Sequence, residues 1–350
     1  MIVTTPPARA LLLRDFPELA VHGRTATRLH PRPGTPDICD SSVGGPLLWP
    51  ASEPWPVCGE EHYVEKRTVL SAEESAARRA DSLASAEAQL RRREQDGAPP
   101  QTLEFLRADI KRLGSATGPI VERTHLLERP PAPIPLVPVL QLHRGDAPGL
   151  EFPEGTDLLQ LLWCPHPHTD MCHEEQAFWR NAASVTDVRP TAPAPDPAAA
   201  ARRVPRPCTV EPEQVTEYPP ICLLDRDADH FEPFGLLPAE TEDRLYRWDR
   251  EQPEDDDYFQ LATAPGWKVG GWDPSAAEPD HLRTCSCGTL MRPLLSTYRW
   301  ENLAGWPSQN GPDSRDDEGP TGVDFARNGS YAILYCPVDP RTHGLEHIID

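Results

Sequence analysis

Cysteine and histidine residues near the end of the sequence have the side chains that bind zinc. Zinc sites in proteins use about four Cys or His ligands, and a close pair often supplies two of them. Cys285, Cys287, Cys336 and His343 could supply such a set. The single residue between Cys285 and Cys287 is a narrower spacing than zinc pairs normally have. The spacing therefore favours free buried thiols, and zinc is the alternative.

A second, denser group of potential ligands lies in the middle of the chain. Its members are Cys164, His166, His168, Asp170, Cys172 and His173, with Glu174 beside them. Thiolate, imidazole and carboxylate groups at this density could bind a metal ion or form a hydrolytic centre. Loops broken by proline also collect His and Asp without a catalytic role, and we prefer that interpretation. We assign no catalytic residue.

Motifs of the common cofactor enzymes are missing from the sequence. No segment matches a phosphate-binding glycine loop, a dinucleotide fingerprint, a nucleophile elbow or the helix of a zinc protease. We therefore do not expect an ordinary cofactor enzyme. Zinc is the one cofactor that the residue types suggest.

The charge of the chain predicts its class of partner. With 55 acidic and 34 basic residues, the 350-residue chain has a formal charge of −21. Such a charge repels phosphate backbones, so nucleic-acid binding is not expected, whereas a basic protein would be attracted. The acidic run 251–257 and the basic residues within 78–112 are interpreted as solvated surfaces rather than binding sites.

The sequence also predicts a soluble, cytoplasmic protein. It contains no run of about 18 apolar residues, and its first ten residues lack the basic start and apolar stretch of a secretion signal. We therefore expect no membrane contact. Nine cysteines, an odd number in a long chain, favour reduced thiols or metal ligands over a disulfide framework.

Composition divides the chain into elements that would position these residues. The stretch 71–113 is rich in Ala, Leu, Glu and Arg and predicts a helical hairpin, with Ser71 and Glu74 as a capping box. Short apolar stretches separated by prolines predict buried strands elsewhere. The Pro- and Ala-rich segment 190–207 predicts an extended linker or a long surface loop.

A set of markers occurs twice in the same order and predicts an internal repeat. The paired glycines Gly44 and Gly45 correspond to Gly270 and Gly271. The other matched markers are Cys58 with Cys285, 138–141 with 293–296, and 162–165 with 334–337. We predict two β-rich modules, 1–189 and 208–350, with the hairpin inserted in the first. In this interpretation the glycines and the cysteines hold the fold.

Several of these segments resemble the YwqG-like domain of unknown function family. They are 42–46, Trp55 with Pro56, 158–165, 268–272 and 287–295. The resemblance implies an α+β, mainly β fold. It also implies a distant similarity to proteins of the programmed-cell-death-two type, which are associated with escorting a small-subunit ribosomal protein. Family members often have a Cys-x-x-Cys-Gly element, and Thr284 stands here where its first cysteine would fall.

Charge and resemblance together predict a non-enzymatic protein that binds or escorts a client protein, with a basic client favoured. Two alternatives stay open. One is a metal-dependent RNA-processing or other hydrolytic enzyme centred on 166–174. The other is a toxin-immunity protein.

Overall fold

The structure is a computed structural model that describes most of the chain. The described residues are 5–6, 8–169, 174–220, 237–252, 257–273, 283–298, 300–301, 306, 319–325 and 330–349. Contacts divide the chain into two compact units. We name 1–60 with 130–350 the sheet unit, and 61–129 the hairpin unit. The predicted modules 1–189 and 208–350 stay a prediction, because two modules can pack into one compact unit.

The fold is α+β, as the sequence predicts. Helices take 27% and strands 28% of the described residues, so strands do not predominate over the described chain as a whole. The two long helices of the hairpin unit account for much of the helical share. The described strands are β1 (Arg24–Arg28), β2 (Arg32–Pro33), β3 (Ser42–Val43), β4 (Val57–Cys58), β5 (His62–Val69), β6 (Val121–Glu128), β7 (Ile134–Pro135), β8 (Val137–His143), β9 (Leu158–Trp163), β10 (Glu175–Arg180), β11 (Cys208–Thr209), β12 (Glu213–Glu217), β13 (Lys268–Gly270), β14 (Arg292–Tyr298), β15 (Ser330–Tyr335) and β16 (Glu346–Ile349). The described α-helices are α1 (Ala8–Asp15), α2 (Ala72–Gln95), α3 (Pro100–Ser115), α4 (Ala239–Asp249) and α5 (Tyr258–Ala262).

Two antiparallel sheets form the framework of the sheet unit. One has the order β10-β9-β8-β3-β11-β2, and the other has the order β16-β15-β14-β13-β1-β12. In the first sheet, β3 leads into the first diglycine and pairs with β8, and β8 pairs with β9, which ends before a Cys-Pro sequence. In the second sheet, β13, β14 and β15 have the same arrangement. The two sheets therefore share one strand order and one set of sequence markers.

The registers of the two sheets also correspond. A β-bulge interrupts the β8–β9 pairing between Pro138 and Leu140, and a bulge interrupts the β14–β15 pairing between Pro293 and Leu295. A bulge bends its strand and increases the local twist, so the two sheets bend at the same point. Ser42 pairs with Gln141 in the first sheet, as Lys268 pairs with Ser296 in the second. In the same way, the pair of His143 and Leu158 corresponds to the pair of Tyr298 and Ser330.

The first strand of each half, β1 or β11, lies in the sheet formed mainly by the other half. We call β1 and β11 the exchanged strands. β1, from the beginning of the chain, lies between β13 and β12. β11, from the second half, lies between β3 and β2. Both strands pair antiparallel with both neighbours. Each sheet is therefore completed by a strand of the other half.

The diglycine turns lie against the chain that carries these exchanged strands. Gly44 has φ +62°, and a Cβ atom added there would lie 2.6 Å from the carbonyl oxygens of Pro205 and Arg206. Gly270 has φ +69°, and its added Cβ would lie 3.1 Å from the carbonyl oxygen of Thr25. Positive φ and close backbone approach both require glycine.

Side chains from both sheets meet in one hydrophobic core. Its buried members include Val139, Leu159, Leu161 and Trp163 from one sheet and Val269, Leu295, Ile333 and Tyr335 from the other. The Trp163 ring centroid lies 5.5 Å from that of Phe325 and 6.4 Å from that of Trp267. Burial of apolar surface stabilises a fold by roughly 25 cal/mol per Å², so this shared core holds the two sheets together.

The segment 190–207 packs on the sheet unit near its end. Arg203 is buried, and its carbonyl oxygen accepts a hydrogen bond of 2.9 Å from the Trp163 indole. Earlier in the segment, the carboxylate of Asp196 reaches His166. The segment is therefore held against the sheet unit at Asp196 and at Arg203.

The hairpin unit joins a β-hairpin to a helical hairpin. β5 and β6 pair along their whole length, from His62 opposite Glu128 to Val69 opposite Val121. Helices α2 and α3 follow where the composition predicts helices, and they contact each other. The predicted capping box is present, because the Ser71 hydroxyl and the Glu74 carboxylate each accept a hydrogen bond from the other residue's backbone N–H.

Candidate metal centre

A tight turn places two of the predicted zinc ligands side by side. Thr284 and Leu290 form a β-bridge, and within it the Cys285 N–H donates to the Thr289 carbonyl at 2.9 Å. The Gly288 N–H donates back to the Cys285 carbonyl at 2.8 Å, and Gly288 has φ +84°. Because this turn reverses the chain, the thiols of Cys285 and Cys287 reach the same group of ligands.

The other two predicted ligands come from the chain that follows β15. Cys336 is the first residue after that strand, and His343 lies seven positions further along. The ligand atoms of all four residues lie within 4.8 Å of one another. We name Cys285, Cys287, Cys336 and His343 the C-terminal cluster.

The distances in the C-terminal cluster fit a tetrahedral ion. Cys285 Sγ lies 3.4 Å from His343 Nδ1, and Cys287 Sγ lies 3.6 Å from Cys336 Sγ. Ligands about 2.0–2.3 Å from a tetrahedral zinc ion are roughly 3.5–3.8 Å from each other. Two pairs of ligand atoms therefore already have the separation that a zinc site requires, and all four atoms lie within 4.8 Å of one another.

The thiols of the C-terminal cluster are packed among apolar side chains, and hydrogen bonding favours ionisation of one of them. Cys336 is fully buried, Cys285 is 9% exposed, and both pack with Met291 and neighbouring apolar side chains. Hydrogen bonds from Thr289, followed by those from the neighbouring thiols, lower the pKa of the Cys287 thiol to about 6. A thiol that ionises near neutral pH binds zinc without a large cost of deprotonation.

The structure brings together all four residues of this predicted set. The narrow Cys285–Cys287 spacing favoured unrelated free thiols in the sequence, but the turn at Gly288 makes that spacing compatible with a shared site. All seven described cysteines are free in the structure.

The predicted mid-chain group is divided by the structure. Cys164 and His168 lie together, and Cys58 joins them, with all three ligand atoms within 4.8 Å of one another. We name these three residues the mid-chain cluster. His166 has a different partner, because its Nε2 lies 3.1 Å from Asp196 Oδ2. The remaining predicted members, Asp170, Cys172 and His173, lie outside the described residues.

Cys58 was identified in the sequence as a repeat marker and not as a ligand. It lies in β4, whose pairing with β7 places Cys58 opposite Ile134, and it is 106 positions from Cys164. The internal repeat could have identified Cys58 as a candidate ligand, because Cys58 corresponds to the predicted ligand Cys285. Cys58 Sγ lies 3.6 Å from His168 Nε2.

The two thiols of the mid-chain cluster differ in their ionisation. A hydrogen bond from Cys164, supported by one from His168, lowers the pKa of the Cys58 thiol to about 4. The same hydrogen bond with Cys58 and burial raise the pKa of the Cys164 thiol. The hydrogen bond between the two thiols therefore favours ionisation of Cys58 over that of Cys164.

A buried group of charged residues lies where β1, β12 and β13 meet, and sequence reasoning did not find it. His30, with φ +45°, is fully buried, and its Nε2 lies 2.9 Å from Glu213 Oε2. Its Nδ1 lies 3.8 Å from Glu301 Oε2. Nearby, Lys268 Nζ donates to Glu217 at 2.6 Å. These residues are spread along the chain, so no local motif marks them.

Burial dominates the ionisation of this buried group. It lowers the pKa of His30 to about 4, with a further contribution from the neighbouring Arg28 guanidinium. It raises the pKa of Glu301 to about 7, although Arg28 opposes that change. Both side chains are therefore shifted toward their neutral forms.

Comparison of the sequence with protein-family models and with curated proteins found no match. Within the described residues, no helix combines the length and the apolar character needed to cross a membrane. The resemblance to the YwqG-like family and the cytoplasmic location stay predictions.

Proposed function

We propose that the protein is a non-enzymatic protein-binding module whose sheet unit is stabilised by a structural zinc ion. The observation that carries the zinc proposal is the C-terminal cluster, in which the ligand atoms of three thiols and one imidazole lie within 4.8 Å of one another and two pairs have tetrahedral separations. Structural zinc sites have four protein ligands, whereas catalytic sites keep one position for water or substrate. A four-ligand set therefore supports a role in stability rather than in catalysis.

We also propose that the sheet unit contains two copies of one ancestral module of the YwqG-like type. Support comes from the common strand order of the two sheets and from their matching β-bulges and registers. The resemblance is the reason for favouring a client-escort role over other kinds of protein binding.

The distribution of charge supports a basic client. Residues 61–129 hold 12 Lys and Arg against 12 Asp and Glu, so the whole net charge of −21 belongs to the sheet unit. A field of one sign accelerates encounter with a partner of the opposite sign and is weakened by salt. We therefore propose that the sheet unit carries the surface that attracts the client.

Affinity capture tests the proposed binding. The immobilised protein, loaded with a cell lysate at low salt, should retain proteins with a basic isoelectric point and release them as salt is raised. An unrelated globular protein with the same isoelectric point serves as the control bait, because it shares the charge and not the surface. Recovery of acidic partners alone, or of the same proteins on both baits, would contradict the proposal.

Metal analysis tests the proposed zinc ion. Cys287→Ser should lose one equivalent of zinc per chain and lower the melting temperature, because bound metal contributes directly to folding. Cys39→Ser is the matched control, since Cys39 is an exposed thiol outside both clusters. Equal zinc content in Cys287→Ser and the wild type would contradict the proposal.

A hydrolytic enzyme is the second candidate function, and one observation favours it. His166 is largely buried beside the Asp196 carboxylate, as in sites where a carboxylate orients a general base. Hydrolysis of a generic RNA or ester substrate that His166→Ala abolishes would reverse the ranking of the two functions. The toxin-immunity alternative stays a prediction, because no described contact favours it.

A further inference from the structure

We propose that the sheet unit binds a second zinc ion through Cys58, Cys164 and His168. The ligand atoms of this mid-chain cluster lie within 4.8 Å of one another. Two sulfur ligands and one imidazole suit zinc and other borderline or soft ions better than magnesium or calcium. With three protein ligands, the ion would keep a fourth position for water, unlike the four-ligand site of the C-terminal cluster. The proposal stands on its own geometry and does not rest on the function proposed above.

The spacing in the mid-chain cluster is that of ligands around one ion. Cys58 Sγ and His168 Nε2 are 3.6 Å apart. Sulfur and nitrogen ligands of a tetrahedral zinc ion are separated by about 3.6 Å when their bonds have the usual lengths. These two atoms therefore already have the separation that a shared zinc ion requires, and Cys164 Sγ lies within 4.8 Å of both.

The correspondence between the two sheets gives independent support. Cys164 and Cys336 each follow the last residue of equivalent strands, β9 and β15. Cys58 and Cys285 follow the last glycine of the corresponding diglycines by 13 and 14 positions. In both halves, the thiol after the diglycine meets the thiol at the strand end. The fold therefore builds a cysteine pair at the same place in each half.

Each half completes its cysteine pair with ligands of its own. The C-terminal cluster adds Cys287 from the Gly288 turn and His343 from the chain after β15. The mid-chain cluster adds His168, four positions after Cys164. A histidine thus joins the cysteine pair in both halves, although it follows the strand-end cysteine at a different distance. The presence of an imidazole beside both pairs supports a ligand role for each pair.

Packing without a metal is the competing explanation, and Cys208 provides its control. Cys208 is a buried thiol in β11, in the sheet that contains β9, and its Sγ lies 3.5 Å from the Pro320 carbonyl oxygen. It lies outside both clusters. If buried cysteines matter only as packing groups, Cys208→Ser and Cys58→Ser will have the same effect on metal content.

Counting zinc per folded chain by native mass spectrometry and elemental analysis tests the proposal. The full-length protein purified with zinc should hold two equivalents. Cys58→Ser and His168→Ala should each hold one, Cys208→Ser should hold two, and Cys58→Ser combined with Cys287→Ser should hold none. His168 is partly exposed, so its variant tests the site even if Cys58→Ser fails to fold.

Two results would overturn the second site. One is a wild-type count that neither Cys58→Ser nor His168→Ala lowers. The other is a mass two hydrogens below that of the reduced chain, with a peptide linking Cys58 to Cys164, because a disulfide consumes both thiols. Loss of zinc in Cys58→Ser but not in Cys287→Ser would retain the mid-chain site and reject the structural zinc ion.

Discussion

Glu301 and His30 face each other inside the sheet unit and make opposite contributions to stability as the pH changes. Folding lowers the pKa of His30 from its usual value to about 4, so the folded chain binds fewer protons there and stability rises with pH up to about 6.5. Folding raises the pKa of Glu301 to about 7, so the folded chain binds more protons there. Its contribution is present below the usual glutamate pKa and is lost as the pH rises to about 7.

Replacing Glu301 with glutamine should separate these two contributions. The unfolding free energy of Glu301→Gln, relative to the wild type, should increase between about pH 4.5 and pH 7 by on the order of 3 kcal/mol, because the variant has no carboxyl to ionise. Urea unfolding across that range measures the difference. Glu154→Gln, at an exposed position, is the control for loss of one carboxylate. A difference for Glu301→Gln that stays constant with pH would contradict this account.

The glycine at position 44 is required by its neighbours as well as by its backbone angle. Gly44 and Gly155 both have positive φ, but nothing lies within 4 Å of an added Cβ at Gly155. Gly155→Ala should therefore lower the unfolding free energy only by the cost of placing alanine at a positive φ, about 1–2 kcal/mol. Gly44→Ala should cost several kcal/mol more, because the Cβ would meet the carbonyl oxygens of Pro205 and Arg206. Equal losses of unfolding free energy would show that close approach is unimportant.

At the scale of elements, the helical hairpin of α2 and α3 should be removable. Val69 and Val121 are the last paired residues of β5 and β6, so a two-residue Asn-Gly turn can replace 70–120. The shortened protein should keep its zinc content and the urea midpoint of the sheet unit, because 61–129 is a compact unit of its own. Its far-ultraviolet circular dichroism should lose the signal of α2 and α3.

A larger deletion provides the control for this experiment. Removing 57–135 also removes β4 and with it Cys58, so one equivalent of zinc should be lost. If the shorter deletion of 70–120 already changes zinc content or unfolds the sheet unit, the two units are not independent.

Local composition and repeated markers were sufficient to predict some elements. The helical hairpin follows from a long run of helix-forming residues, and its capping box from Ser71 and Glu74. The four ligands of the C-terminal cluster were also identified, since their residue types limit the choice. These features depend on residue type or on neighbours within a few positions.

Features that depend on distant pairing were not predicted. Cys58 Sγ lies within 4.8 Å of the ligand atoms of Cys164 and His168, although Cys58 is 106 positions before Cys164. His30 and Glu301 meet across 271 positions, and no periodic pattern in the sequence marks such a contact. The exchange of β1 and β11 is equally hidden, because β11 is only two residues long and pairs with strands far away in the chain.

At the scale of the whole molecule, each half lacks one strand of its own sheet, and the other half supplies that strand. A chain of 1–189 has β2 and β3 but lacks β11 between them, and a chain of 208–350 has β12 and β13 but lacks β1. Open strand edges associate with other strands, so each piece alone should aggregate. Co-expressed as two polypeptides, the pieces should complement each other into one soluble heterodimer. If the chain were divided into two genes, each polypeptide would thus need the other to complete its sheet, and the two would form an obligate heterodimer.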